Sequence, residues 1–184
     1  LWNSNGHVKN ILTFDIEDYY HILYRNLLGK DLDPTAEVVD CGKRILEILN
    51  REETHATFFV VGRVAKKYPN LVREILRGGH EIASHGYDHI YVNRVSKEAF
   101  KADLEKSKSI LEDVVGQCVL GFRAPEFSID HSTPWAFEVL SEVGFKYDSS
   151  LFPMNGRRYG NPKVPQDLHQ ISTPSGPIVE VPMS

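Results

Sequence analysis

With 184 residues, 41% of them hydrophobic and 25% charged, the chain has an ordinary globular composition and enough length to bury a substantial core without disulfides or a structural metal. A formal net charge of −4 excludes the basic field that draws a protein to nucleic acid or to an anionic membrane. It suits a neutral or mildly cationic substrate instead, and no apolar run approaches the roughly 20 residues needed to span a bilayer.

In chain order, Asn10 to Asp15 is a short apolar run ending in acid and predicts a buried strand. A loop is expected after it, through Gly29 to Pro34. Glu37 to Arg51 carries apolar residues at 38, 41, 45, 48 and 49, the spacing of one helical face. Ala56 to Val61 is β-branched and aromatic, closed by Gly62, and predicts a second strand. Val64 to Tyr68 and Pro69 to Arg77 read as two short helices, the second opened by its Pro and ended by Gly78-Gly79. His80 to His85 predicts a third strand. Ser96 is placed to cap a long helix that Gly116 stops.

Val119 to Arg123 predicts a fourth strand. Thr133-Pro134 starts a helix ended by Gly144, and Phe145 to Asp148 reads as a fifth strand. Pro153 to Pro165, rich in Pro, Gly and Asn, is a loop. His169 to Ile171 and Pro177 to Val181 are two further short strands. The two cysteines, Cys41 and Cys118, belong to no CxxC pair and are expected as buried free thiols. Strands alternating with helices imply an α/β fold with a parallel sheet, either open or closed into a barrel. Residues 1–184 read as a single domain, with Pro177 to Met183 looking like a strand that enters further sequence.

Polar residues stand at the C-terminal ends of the first, third, fourth and fifth strands: Asp15, His85, Arg123 and Asp148. That edge is where α/β folds build their sites. His85 and His89 form an HxxxH pair, and imidazole nitrogens suit zinc, with cobalt or nickel as alternatives. A catalytic site needs a third ligand, typically a carboxylate, and Asp15, Glu17 and Asp18 are the candidates. One carboxylate is then available to the metal and another to proton transfer. Arg123 is expected to pair with a carboxylate and hold it ionised, with Pro125 fixing the backbone that follows.

These segments resemble the polysaccharide deacetylases, family-four carbohydrate esterases that share the chitooligosaccharide deacetylase homology domain. The resemblance rests on Thr13-Phe14-Asp15, Ala56 to Gly62, Gly79 to His89 and Phe122 to Phe127, in the family order. The form Asp15-Ile16-Glu17-Asp18-Tyr19-Tyr20 looks like the branch associated with bacterial exopolysaccharide synthesis. The resemblance implies a distorted, incomplete (β/α)7 barrel similar to a TIM barrel. It implies a divalent metal, often zinc, on His85 and His89, with Asp15 as general base and Arg123 as its orienting partner.

The family's first motif has two adjacent aspartates. Ile16 stands at the second place here, so either Glu17 or Asp18 supplies the metal carboxylate, and strand alternation puts 15 and 17 on one side. Gly86 stands where the family has Ser or Thr, which is expected only to loosen an outer hydrogen bond. The family's late catalytic His is not found after Val181, so the domain reads as truncated at its C-terminus and His169, after Leu168, is the remaining candidate.

Pro125, Glu126, Phe127 and Asp148 are expected beside the substrate or the oxyanion, with Tyr19, Tyr20, Tyr87, Phe127 and Trp135 as groove aromatics. The implied activity is removal of N-acetyl groups from the amino sugars of a polysaccharide or oligosaccharide. The alternatives are an amidohydrolase of a small cyclic amide or of peptidoglycan, and a carbohydrate-binding relic without turnover. The compartment is open between bacterial cytoplasm and periplasm, and the oligomeric state is unread.

Overall fold

The computed structural model describes residues 10–154 and 160–183, apart from the side chains of 20, 21 and 25–27. Seven strands form one open sheet in the order β1-β2-β3-β4-β5-β7-β6. They are β1 Thr13–Ile16, β2 Thr57–Val60, β3 Glu81–Ser84, β4 Gly121–Phe122, β5 Tyr147–Asp148, β6 His169–Ile171 and β7 Ile178–Glu180. The helices are α1 Tyr19–Leu28, α2 Glu37–Arg51, α3 Gly62–Lys67, α4 Pro69–Arg77, α5 Lys97–Val115 and α6 Ala136–Val143. The first five strands and β7 run parallel, whereas β6 pairs antiparallel with β7. The sheet does not close, leaving β1 and β6 as its two edges among the described residues.

Phe58 and Phe59 on β2, Ile82 and Ala83 on β3 and Phe122 on β4 are buried, as expected of strands covered on both faces. On α5, Phe100, Leu104 and Leu111 recur at helical spacing and pack toward the sheet, where the Phe100 and Phe122 rings meet edge to face. Ser96 caps α5 by accepting the Ala99 N–H at 3.2 Å, and Gly116 ends it in the left-handed conformation with φ 69°. β4 is so close to its neighbour that a Cβ on Gly121 would fall 2.0 Å from the Tyr147 ring. Gly121→Ala should therefore lower stability by about 1–3 kcal/mol, read from the midpoint of urea unfolding.

Three local expectations are corrected. The stretch after Asp15 is not a loop: Tyr19–Leu28 is a helix, with the Ile22 N–H on the Asp18 carbonyl at 3.1 Å and Gly29 at φ 61° beyond it. The sheet is not wholly parallel, because β6 folds back on β7. Cys41 and Cys118 are free but exposed, one on the outward side of α2 and the other in the turn after α5. No helix among the described residues is long and apolar enough to cross a membrane.

Candidate metal centre

Glu17, His85 and His89 meet just beyond the C-terminal ends of β1 and β3. Glu17 Oε2 lies 2.7 Å from His89 Nε2 and 3.4 Å from His85 Nε2. The three ligand atoms fall within 4.8 Å of one another, a spread that could hold a metal ion. Both histidines are buried, and their ring centroids are 5.2 Å apart. The convergence is made by backbone, not by a helix face: Gly86 (φ 73°) and His89 (φ 52°) are both left-handed. For His89 that conformation is uncommon and of the kind that persists at functional sites.

Asp103, reaching in from α5, holds this loop. Its Oδ2 accepts the Tyr87 N–H at 2.7 Å and its Oδ1 the Asp88 N–H at 3.0 Å. A Cβ on Gly86 would stand 2.9 Å from Asp103 Oδ2, so a glycine at 86 is required by the loop itself. The outer hydroxyl comes instead from Ser84, whose Oγ accepts the Gly86 N–H at 3.2 Å. The other acid expected as a possible ligand, Asp18, is turned away. Its buried carboxylate accepts from Thr35 N–H at 2.9 Å and from Thr35 Oγ1 at 2.6 Å.

Asp15 stands beside this cluster, with its Oδ1 accepting from Arg123 Nη1 at 2.8 Å. The Arg123 guanidinium is buried and spends nearly all its donors: Nη1 also reaches Thr13 Oγ1 at 3.1 Å, Nε the Ser149 carbonyl at 3.1 Å, and Nη2 Ser149 Oγ at 3.0 Å and Met183 Sδ at 2.9 Å. Its plane lies 4.0 Å above the Phe59 ring. The Arg123 carbonyl is 2.9 Å from His85 Nδ1. That bond takes the Nδ1 proton and leaves Nε2 facing Glu17.

The electrostatics of the cluster favour a cation. Burial works against charge on His85, yet the field of Asp15 and the hydrogen bond to Glu17 raise its pKa above the ordinary value. Burial likewise opposes charge on Glu17, but hydrogen bonds and fields from the two histidines outweigh it and hold the carboxyl well below the usual range. Tetrahedral ligands at about 2.0–2.2 Å from zinc sit roughly 3.3–3.6 Å apart, close to the Glu17–His85 separation. One carboxylate and two imidazoles also have the donor chemistry of a three-ligand zinc site. The residues present therefore fit a divalent cation.

The polysaccharide deacetylase family model matches residues 10–147, which include all of these groups. The chain belongs to that family. A peptidoglycan-N-acetylglucosamine deacetylase from Bacillus cereus is 29% identical over 138 residues, covering 74% of this chain and 63% of that protein. A chitooligosaccharide deacetylase from Azorhizobium caulinodans is 32% identical over 100 residues, covering 54% of this chain and 45% of the relative. A crystal structure from Mycobacterium smegmatis, assigned to the polysaccharide deacetylases, aligns with a TM-score of 0.75 and 29% identity over 95% of this chain and 58% of its own. This deacetylase-family chain thus spans less than two thirds of each of these three proteins.

The remaining expected site residues are distributed unevenly. Pro125, Glu126 and Phe127 form one turn after β4, with Glu126 at φ 52° and Phe127 at φ 50°. Pro125 has no N–H to donate and serves only to shape the turn. Phe127 N–H goes to the Ala124 carbonyl and Ser128 N–H to that of Pro125, both at 3.1 Å, so neither bond uses the Glu126 N–H. Phe127 lines a cavity of about 1100 Å³ that also includes Tyr91, Ile129, Leu151, Phe152 and Lys163. The Tyr91 ring is 6.2 Å from that of His89, which puts the cavity next to the cluster.

Asp148 is a correction. It is fully buried and its carboxylate accepts from Ser150, so it cannot touch a substrate. Tyr87 is also buried, under Lys106, and Trp135 packs on Phe100, which removes both from a sugar groove. Tyr19 is exposed, while the side chain of Tyr20 lies outside the described residues. His169 sits at the start of β6, opposite Glu180, with Nδ1 on the Asp167 carbonyl at 2.9 Å. Asp103 and Ser84 were missed by sequence reasoning. The one available signal for Asp103 was an acid directly beside the apolar Leu104 on α5.

Proposed function

We propose that this chain is the metal-dependent part of an N-deacetylase acting on the amino sugars of a polysaccharide or oligosaccharide. The observation that carries this reading is the Arg123–Asp15 pair beside the Glu17–His85–His89 cluster, which separates a proton acceptor from the ligand set. A divalent cation, zinc by the donor chemistry, would supply Lewis acidity to the acetyl carbonyl and acidify water at the site.

Glu17, His85 and His89 would hold the cation. Asp15 takes the proton from the attacking water, and Arg123 fixes the carboxylate that receives it. Asp15 then carries the proton that the departing amine requires. The Glu126 N–H, in the turn after β4, is the candidate donor to the developing oxyanion. The cavity beside Tyr91 receives the neighbouring sugars, with Phe127 and Phe152 offering apolar surface.

Acetate release by the zinc-loaded protein tests the reading. Oligomers of N-acetylglucosamine, peptidoglycan and a cyclic ureide form the substrate panel, and turnover of the ureide alone would replace this reading by the amidohydrolase one. Zinc binding with no acetate from any polymer would support the binding relic.

Zinc binding should also be proton-linked. The surroundings raise the His85 pKa, so a proton competes with zinc for this ring. Affinity should therefore fall as pH drops through the raised His85 pKa, with the fall beginning above the ordinary histidine value of 6.5. Titration calorimetry in two buffers of different ionisation enthalpy measures the released proton. A pH-independent affinity between pH 6 and 8 would contradict the assignment of His85.

A further inference from the structure

Behind Arg123 lies a pair of carboxyl groups that the chemistry above does not use. Asp148 on β5 and Glu180 on β7 are register partners in the parallel sheet, and both are fully buried. Pairing across the parallel strands puts the two side chains next to each other on one face of the sheet, and two fully buried carboxyl groups so placed cannot both carry charge; a proton shared between them removes the repulsion.

The surroundings decide which one keeps it. Asp148 accepts from Ser150 Oγ at 2.6 Å and from Ser150 N–H at 3.0 Å, and it lies in the field of Arg123. Glu180 accepts only from Leu151 N–H, at 3.0 Å through Oε1, and its buried Oε2 has no hydrogen-bond partner among the described residues. A proton on Oε2, donated to Asp148, satisfies that atom. Burial and the Asp148 charge push the Glu180 pKa far above the carboxyl range, in keeping with this placement.

The pair grips one segment. Ser150 Oγ also accepts the Ala124 N–H at 2.8 Å, next in the chain to Arg123. Ser149, between Asp148 and Ser150, accepts from Arg123 through both its carbonyl and its Oγ. Ser149 Oγ in turn donates to the Val181 carbonyl at 2.8 Å, adjacent to Glu180. Glu180 and Asp148 thus fix residues 149–151, these fix Arg123, and Arg123 fixes Asp15. The other titratable or charged groups facing this packing are Arg123, beyond it Asp15, and His169, the register partner of Glu180 on β6, which both Glu180 variants retain.

We propose that Glu180 is a positioning residue that works as a neutral acid, donating its proton to Asp148 to lock the segment that aligns Arg123 with Asp15. The link to catalysis rests on the deacetylase reading, whereas the shared proton and its hold on Arg123 do not.

The test compares Glu180→Gln with Glu180→Met. Gln reproduces the neutral acid, with an N–H for Asp148 and a carbonyl for Leu151. Met leaves the buried Asp148 with its Ser150 donors but without the one from residue 180. The first readout is thermal stability against pH. The native state holds a proton that the unfolded chain releases near pH 4.5, so wild-type stability declines as pH rises above that value. Glu180→Gln lacks this decline, and its Tm should gain on wild type steadily from pH 5 to pH 8. Parallel profiles would overturn the neutral-acid assignment, and this arm needs no disruptive variant.

The second readout is the Arg123 Nε–H resonance in NMR. It should persist in Glu180→Gln and shift or broaden in Glu180→Met. Where Met prevents folding, Ser150→Ala, which removes the Asp148–Ser150–Ala124 link, takes its place. An unchanged Arg123 resonance in the folded disruptive variant would overturn the positioning role. The third is turnover of the zinc-loaded protein: kcat should fall roughly ten- to a hundredfold in the disruptive variant with KM little changed, and Glu180→Gln should recover most of it. Equal loss in both variants would also overturn the proposal. A wild type without turnover would sink the deacetylase reading while leaving the first two readouts in force.

Discussion

Asp15→Asn is expected to lower acetate release roughly 10²–10⁴-fold while leaving the metal in place. The amide keeps an oxygen where Oδ1 accepts from Arg123 Nη1 at 2.8 Å, so the local geometry has no reason to change. What the substitution removes is the capacity to take a proton from water. The metal should stay because Asp15 contributes no atom to the Glu17–His85–His89 group. Its charge acts on zinc in two opposing ways. It attracts the cation directly, and it also raises the proton affinity of His85, which competes with the cation. Zinc affinity should accordingly move by much less than turnover. Wild-type turnover in Asp15→Asn would transfer the base to another group. Loss of zinc from it would make Asp15 a ligand and dissolve the division of labour between the two acids.

The placement behind that proposed division was half legible in the sequence. Strand period places 15 and 17 on one side, and the period carries one residue beyond the end of β1 at Ile16, which brings Glu17 to the histidines. The sequence could not show that Thr35 would supply two donors to Asp18 across 17 residues, which is what removes Asp18 from the choice. The helices capped by Ser96, Gly116 and Gly144 were legible because their signals are local. α1 carries comparable marks, Asp18 before it and Gly29 after it, yet the stretch through Gly29 to Pro34 was expected as a loop.

The buried acids tell the same lesson from the other side. Glu180 is a single acid in the apolar run 178–181, and an acid in a strand covered on both faces must be neutral or paired. Its partner is set by the β5–β7 register, which no local pattern in 145–181 encodes. Asp103 is hidden for the same reason, since its role depends on which loop α5 happens to cover. Residues whose chemistry depends on their own strand end were readable. Those whose chemistry depends on a tertiary neighbour were not.

The second large effect is expected from His89→Ala, which should abolish zinc-induced stabilisation and reduce zinc affinity by more than the roughly 10–100-fold that outer partners cost. His89 is the cleaner of the two histidines for this purpose. His85 Nδ1 holds the Arg123 carbonyl, so replacing His85 disturbs Arg123 as well as the ligand set. His89 Nδ1 has no hydrogen-bond partner among the described residues, and its Nε2 lies 2.7 Å from Glu17 Oε2. Removing it should therefore take away a ligand while leaving the Arg123–Asp15 pair intact.

In the wild type, zinc at about 100 times its Kd should add roughly 2.7 kcal/mol to the unfolding free energy. The same zinc concentration should leave the melting temperature of His89→Ala unchanged, and a chelator should bring wild type down to the metal-free value. Because His89 is held at φ 52°, the alanine also inherits a left-handed backbone, so some loss of metal-free stability is expected. The zinc-dependent increment, not the absolute melting temperature, is therefore the quantity that decides. A full increment in His89→Ala would mean that zinc binds elsewhere and that the convergence of these rings has another cause.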